Sequence, residues 1–145
     1  MDATSQIYNN TVSNNEANSG VAYGYGDSLD GTYVFKNNIF VAAAGNGVLT
    51  TGGGISYQNN LYSGSSIQIP SGDGSAIGSD PRLVAPGTGT SGGASGPAFG
   101  SLGGYKLQAG SPAINAGVSI ASNGGLDFWG TTVAGTPDVG AYEAP

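Results

Sequence analysis

Aspartates are the side chains that could carry acid–base chemistry, because this sequence of 145 residues contains no His and no Cys. Two carboxylates about 5 to 9.5 Å apart can hydrolyse a glycosidic bond. The candidates are Asp27, Asp30, Asp73, Asp80, Asp127 and Asp138. Asp27-Ser-Leu-Asp30-Gly31 and Asp73-Gly74 are also typical of turns, where Asp and Gly supply the required backbone angles. Turns are the favoured interpretation, and no catalytic pair is predicted.

Basic side chains and metal ions offer fewer possibilities for catalysis or ligand binding. Proton abstraction by a basic side chain could use only Lys36, Arg82 or Lys106. Calcium prefers six to eight oxygen ligands, and Asp27 and Asp30 with nearby carbonyls could contribute some of them. Their spacing matches no recognised calcium loop, so we predict no cofactor and keep calcium as a weak alternative.

Aromatic side chains are the main candidates for binding. Tyr23 and Tyr25 are separated by one Gly and would point the same way in an extended loop, where their rings could stack on sugars. The alternative is that they pack over the protein. Trp129, next to Phe128, either binds in the same way or covers the last turn of the fold. The predicted carbohydrate-binding residues are Tyr23, Tyr25, Asp27, Asp30 and Trp129.

The composition argues against two classes of partner. Three Lys and Arg against nine Asp and Glu give a net charge of −6, which cannot neutralise a row of phosphates. The same charge disfavours anionic membranes. The longest apolar run extends from Ile39 to Ala44, whereas a membrane-spanning helix needs about 20 residues. We therefore expect neither a nucleic-acid nor a membrane partner.

A repeat shows which elements would position these side chains. Ile7–Val12, Phe35–Phe40 and Tyr57–Tyr62 each read apolar, variable, Asn, Asn and two β-formers, with the first Asn at 9, 37 and 59. The 28 Gly disfavour long helices, so an all-β fold is expected. A unit of about 22 residues suits one turn of a β-solenoid. Equivalent residues would then stack inward in two rows: Ile7, Phe35 and Tyr57, and Thr11, Ile39 and Leu61.

The carboxy-terminal third carries a more specific pattern. The pattern consists of Ser111–Gly117, then Asp127 and Gly130, and then Pro137–Glu143. It resembles the closing signature of secreted right-handed parallel β-helix proteins, the pectate-lyase-like carbohydrate-active group. That signature usually has Asp at the position of Asn115. The resemblance implies an all-β, right-handed parallel β-helix in a single domain. Its coils would span 1–85, a Gly/Ser-rich exposed loop 86–104, and a closing coil and cap 105–145.

The resemblance also implies a function. The expectation is a non-catalytic module or subunit of a secreted, bacterial polysaccharide-degrading system. Its partner would be a neutral polysaccharide such as xylan or β-glucan, because negative charge disfavours uronate polymers. Upstream β-helix coils or a catalytic domain are further candidate partners. One alternative is the carboxy-terminal part of a glycoside hydrolase or polysaccharide lyase with its catalytic coils upstream. Another is a structural or adhesive surface protein. Asp138 and Glu143 are expected to bind backbone amides.

Overall fold

Two parallel β-sheets dominate the computed structural model, which describes residues 4–13, 32–42, 54–64, 67–88 and 99–145. The first sheet has the order β1-β3-β5 and the second the order β2-β4-β6-β7. The strands are β1 (Thr4–Tyr8), β2 (Thr11–Ser13), β3 (Thr32–Lys36), β4 (Ile39–Val41), β5 (Ile55–Gln58), β6 (Leu61–Ser63) and β7 (Ile77–Gly78). A 3₁₀ helix spans Phe99–Tyr105. No helix in these ranges is long and apolar enough to cross a membrane.

An Asn-Asn corner connects each strand of the first sheet to its successor in the second. The first Asn of each corner, Asn9, Asn37 or Asn59, has a positive φ of 55°, 52° or 54°. Asn tolerates this left-handed conformation better than most residues, which explains its recurrence. The strands on either side are in register, with Phe35 opposite both Ile7 and Tyr57. The predicted equivalence of the three repeat copies is confirmed.

The buried side chains form two clusters, where the sequence predicted one interior. Phe35, Phe40, Tyr57 and Tyr62 form one cluster, in which Phe35 stacks on Tyr57 with ring centroids 5.3 Å apart. Ile39 and Leu61 are also buried, but they belong to the second cluster. Neighbouring residues of a strand point to opposite faces, so Ile39 and Phe40 lie on opposite sides of the second sheet. The prediction that Ile39 and Leu61 share an interior with Phe35 and Tyr57 was therefore wrong.

The residues after β7 supply the rest of the second cluster, and we call their described part, 79–88 and 99–145, the carboxy-terminal segment. Four of its apolar side chains pack on Ile39 and Leu61: Leu83, Leu107, Ala113 and Val139. Because both faces of the second sheet are buried, its strands carry consecutive apolar residues.

The carboxy-terminal segment also runs alongside the Asn-Asn corners. The Nδ2 of Asn59 donates to the carbonyl of Ala116, and the Nδ2 of Asn37 donates to that of Val118. Further along, the amide of Ala141 donates to Thr11 Oγ1. The expected cap over the last coil thus makes contacts all the way back to the first strand pair.

The segment predicted as an exposed loop, 86–104, also contains ordered elements. Its last residues begin the 3₁₀ helix, and Gly104 is buried. The amide of Ala85 donates to the carbonyl of Gly104, and that of Val84 to the carbonyl of Lys106. These bonds hold the two ends of the segment together.

Candidate functional site

A cleft of about 1000 Å³ lies between the first strand pair and the carboxy-terminal segment. Its wall on one side is formed by residues 7–13, which include β1, the first corner and β2. On the other side lie Leu126, Phe128, Trp129 and Tyr142. The amide of Phe128 donates to the carbonyl of Ala141, which positions the aromatic side chains next to Thr11.

Aromatic rings on the carboxy-terminal side pack edge to face. Trp129 contacts Phe128 at a centroid distance of 4.9 Å and Tyr142 at 5.6 Å. The ammonium of Lys106 lies 5.2 Å from the Trp129 ring and 5.1 Å from the Tyr142 ring, a cation–π arrangement. Trp129, a predicted binding residue, lines the cleft but is held within this cluster. Phe128 is more open, with 48% of its surface exposed.

Three buried polar atoms that line the cleft have no hydrogen-bond partner in the described part of the chain. They are Asn9 Oδ1, Ser13 Oγ and Trp129 Nε1. The equivalent oxygen at the next corner, Asn37 Oδ1, accepts the amide of Val118 at 2.8 Å. Buried polar groups are seldom left unsatisfied, so the first corner is incompletely paired compared with the second.

Carboxylates near the cleft are engaged by the backbone. Asp127 accepts the amides of Trp129 and Thr131, and Asp138 accepts those of Asn115 and Ala144. Glu143 accepts the amide of Asp138. The expectation that Asp138 and Glu143 bind backbone amides is confirmed.

The electrostatic setting of Glu143 follows from this packing. Burial, with further contributions from Asp138 and Asp127, raises the pKa of Glu143, although hydrogen bonds from backbone amides oppose the shift. Within the described ranges, no three acidic side chains are grouped closely enough to hold a metal ion.

Asp73 lies away from the cleft, below the third corner. It is in a turn, as the sequence favoured, and its carboxylate accepts the amides of Asn59 and Asn60. It also accepts the hydroxyl of Tyr62 at 3.0 Å. Burial, followed by the charge of Asp73, raises the pKa of Tyr62 well above its ordinary value. The geometry gives Asp73 a structural role.

A second surface lies on the outward side of the first sheet. Tyr8, Lys36 and Gln58 occupy one row across β1, β3 and β5, and Gln6, Val34 and Ser56 occupy the next. We call these six residues the polar face. Gln6, Ser56 and Gln58 are exposed, and Tyr8, Val34 and Lys36 are half-buried. This surface was not predicted from the sequence, although the variable position before each Asn pair, at residues 8, 36 and 58, is its signal.

Four further predicted site residues belong to the segment between β2 and β3. Tyr23, Tyr25, Asp27 and Asp30 lie outside the described residues, and with them the weak calcium site.

Comparison with known proteins adds one relative. No family model matches the sequence. The chain is 35% identical to Lacto-N-biosidase from Bifidobacterium longum subsp. longum over 158 aligned residues. The alignment includes 95% of this chain and 10% of the relative, so the chain spans about a tenth of that protein's length.

Proposed function

We propose that this chain is a non-catalytic, carbohydrate-binding part of a secreted bacterial protein of the right-handed parallel β-helix type. Two observations support the β-helix: successive strands add in parallel to both sheets, and an Asn-Asn corner connects them at each step. The similarity to Lacto-N-biosidase, by its name a glycoside hydrolase, supports a carbohydrate ligand.

The polar face carries the proposal, because it combines a tyrosine ring with hydrogen-bonding groups on parallel strands. Strands in a sheet lie about 4.8 Å apart, so Tyr8, Lys36 and Gln58 form a regular row. A Tyr ring offers a sugar an apolar surface, and the amide of Gln58 can both donate and accept. The net charge of −6 favours a neutral chain such as xylan or β-glucan over a uronate polymer.

The carboxylates support a binding role over a catalytic one. Asp127, Asp138 and Glu143 accept backbone amides, and Asp73 is buried among donors. All four carboxylates therefore accept hydrogen bonds within the protein, and Asp127, Asp138 and Glu143 also line the cleft. A second candidate function is the carboxy-terminal part of a β-helix glycosidase, which is favoured by the alignment with a tenth of an enzyme.

Affinity electrophoresis in gels containing xylan, β-glucan or pectin tests the proposal. We expect a neutral polysaccharide to retard the protein, and Tyr8→Ala with Gln58→Ala to weaken retention about fivefold, equivalent to about 1 kcal/mol. Phe128→Ala is the control, because Phe128 is an exposed aromatic that does not belong to the six residues of the polar face. Lack of retention by all three glycans would overturn the function. Loss of retention in Phe128→Ala alone would move the site to the aromatic cluster.

A further inference from the structure

The second Asn of each corner forms a directional ladder of hydrogen bonds. Asn38 Oδ1 accepts the backbone amide of Asn10 at 3.1 Å and its Nδ2 at 3.0 Å. Asn60 Oδ1 accepts the same two groups of Asn38, each at 2.9 Å. The middle corner therefore donates two N–H groups to the corner that follows it and accepts two from the corner before it.

The two ends of this ladder differ. At the far end, Asp73 Oδ2 accepts the amide and the Nδ2 of Asn60, so a carboxylate replaces the next Asn. At the near end, Asn10 is exposed, and its Oδ1 accepts no hydrogen bond from any described residue. The far end is closed, whereas the near end presents an acceptor.

The sheets and the buried rows also have an edge at the first strand pair. β1 and β2 are the outermost strands of their sheets within the described ranges. Among the described residues, the buried rows of Phe35 and Phe40 extend as far as Ile7 and Val12, which are half-buried. The cleft lies over these residues.

The carboxy-terminal segment reaches the same level. Ala141 is hydrogen-bonded to Thr11 and to Phe128. Leu126, close in sequence to Phe128, has 55% of its surface exposed. Leu126 and Phe128 therefore form an apolar surface that faces the first strand pair across the cleft.

We propose that the edge formed by β1, Asn10 and β2 is a docking surface for one more parallel strand pair with an Asn-Asn corner. The second Asn of that corner donates its backbone amide and its Nδ2 to Asn10 Oδ1. Its apolar side chains stack on Ile7 and Val12, and its second strand fills the cleft against Leu126 and Phe128. This interaction does not rest on the carbohydrate-binding proposal.

The donor pattern selects this occupant over a second copy of the chain. Two copies meeting at this edge would place Asn10 Oδ1 against Asn10 Oδ1, and two acceptors repel. The opposite end of another copy offers the Asp73 carboxylate, which is also an acceptor. A corner of the type that precedes Asn38 or Asn60 is the partner that supplies both N–H groups.

A chain lengthened by one repeat tests the proposal. A second copy of residues 32–53 is inserted between Ala3 and Thr4. The copied Thr32 then precedes Thr4 by 22 residues, which is also the separation of Asn38 and Asn60. We expect the melting temperature to rise by about 5 °C. Hydrogen exchange of β1 and β2 amides should slow about tenfold or more.

The matched control is the same insertion with the copied Asn38 replaced by Asp, which removes the Nδ2 donor and adds charge beside Asn10 Oδ1. It should lose most of both effects. An insertion that leaves melting and exchange unchanged, or an Asp control that stabilises equally, would overturn the proposal. So would dimerisation of the original chain that the insertion abolishes. Glycan retention by the polar face should persist in both proteins, so failure of one proposal is distinguishable from failure of the other.

Discussion

Asn60 donates its side-chain amide to the buried carboxylate of Asp73 at 2.9 Å, 13 positions further along the chain. Asp73 also accepts the amides of Asn59 and Asn60 and the hydroxyl of Tyr62. The Asp73 carboxylate thus accepts the backbone and side-chain N–H groups of the third corner, as the next Asn accepts those of each earlier corner. Because it only accepts, it ends the ladder.

Asp73→Ala should destabilise the fold strongly, because several buried donors would lose their acceptor. We expect the free energy of unfolding to fall by about 3 kcal/mol. Urea denaturation followed by Trp129 fluorescence measures this change. Asp80→Ala is the control, since Asp80 is exposed and accepts the amide of Arg82, and it should change stability by less than about 1 kcal/mol. Equal effects of the two variants would contradict the structural role of Asp73.

Tyr62 should make the fold sensitive to alkali. Burial and the Asp73 carboxylate raise its pKa above the ordinary value of 10.0, so the folded state favours the neutral phenol. The contribution of Tyr62 is therefore complete below about pH 10 and is lost as the pH rises further. Tyr62→Phe should reduce stability by about 1 kcal/mol at pH 7, through loss of the bond to Asp73.

Denaturation of both proteins between pH 7 and 11 separates this effect from that of the other tyrosines. The difference between wild type and Tyr62→Phe should shrink or reverse above pH 10. A difference that stays constant across the range would show that Tyr62 ionises as readily in the folded state as in the unfolded state.

Local signals in the sequence predicted the corners and the register. Asn9, Asn37 and Asn59 repeat with matching neighbours, and Asn is suited to the left-handed conformation that each adopts. The ladder end at Asp73 breaks the repeat spacing, so periodicity did not reveal it.

Contacts distant in sequence were not predictable in this way. Asn37 and Val118 are 81 positions apart, and nothing local to either residue shows that they pair. This is why the carboxy-terminal segment was expected over the last coil and why Ile39 was assigned to the wrong cluster. The aromatic cluster was found only as the pair Phe128 and Trp129, because Lys106 and Tyr142 join it through the tertiary fold.

Gly140 allows the carboxy-terminal segment to approach the second sheet. Its φ is +103°, and a Cβ there would lie 2.6 Å from Ile39 Cδ1 and 2.9 Å from Thr11 Oγ1. Gly140→Ala should therefore destabilise the protein by about 3 kcal/mol through steric overlap and backbone strain. Gly135→Ala isolates the backbone term, because Gly135 has a φ of +72° and open space around it, and should lose about 1 kcal/mol. Thermal melting of the two variants compares them, and a similar loss in both would argue against close packing at Gly140.

Asn9 and Asn37 provide a matched pair for measuring how much the side-chain clamp on the carboxy-terminal segment contributes. Both have a left-handed backbone, which Gly also adopts readily, so replacement by Gly tests mainly the side chain. Asn37 exchanges two hydrogen bonds with Val118, at 2.7 and 2.8 Å, whereas Asn9 Oδ1 is buried and has no partner among the residues that the structure describes. Asn37→Gly should reduce the free energy of unfolding by about 2 kcal/mol, and Asn9→Gly by less than about 0.5 kcal/mol. Urea denaturation gives both values, and a loss in Asn9→Gly as large as that in Asn37→Gly would show that the first corner is paired as fully as the second.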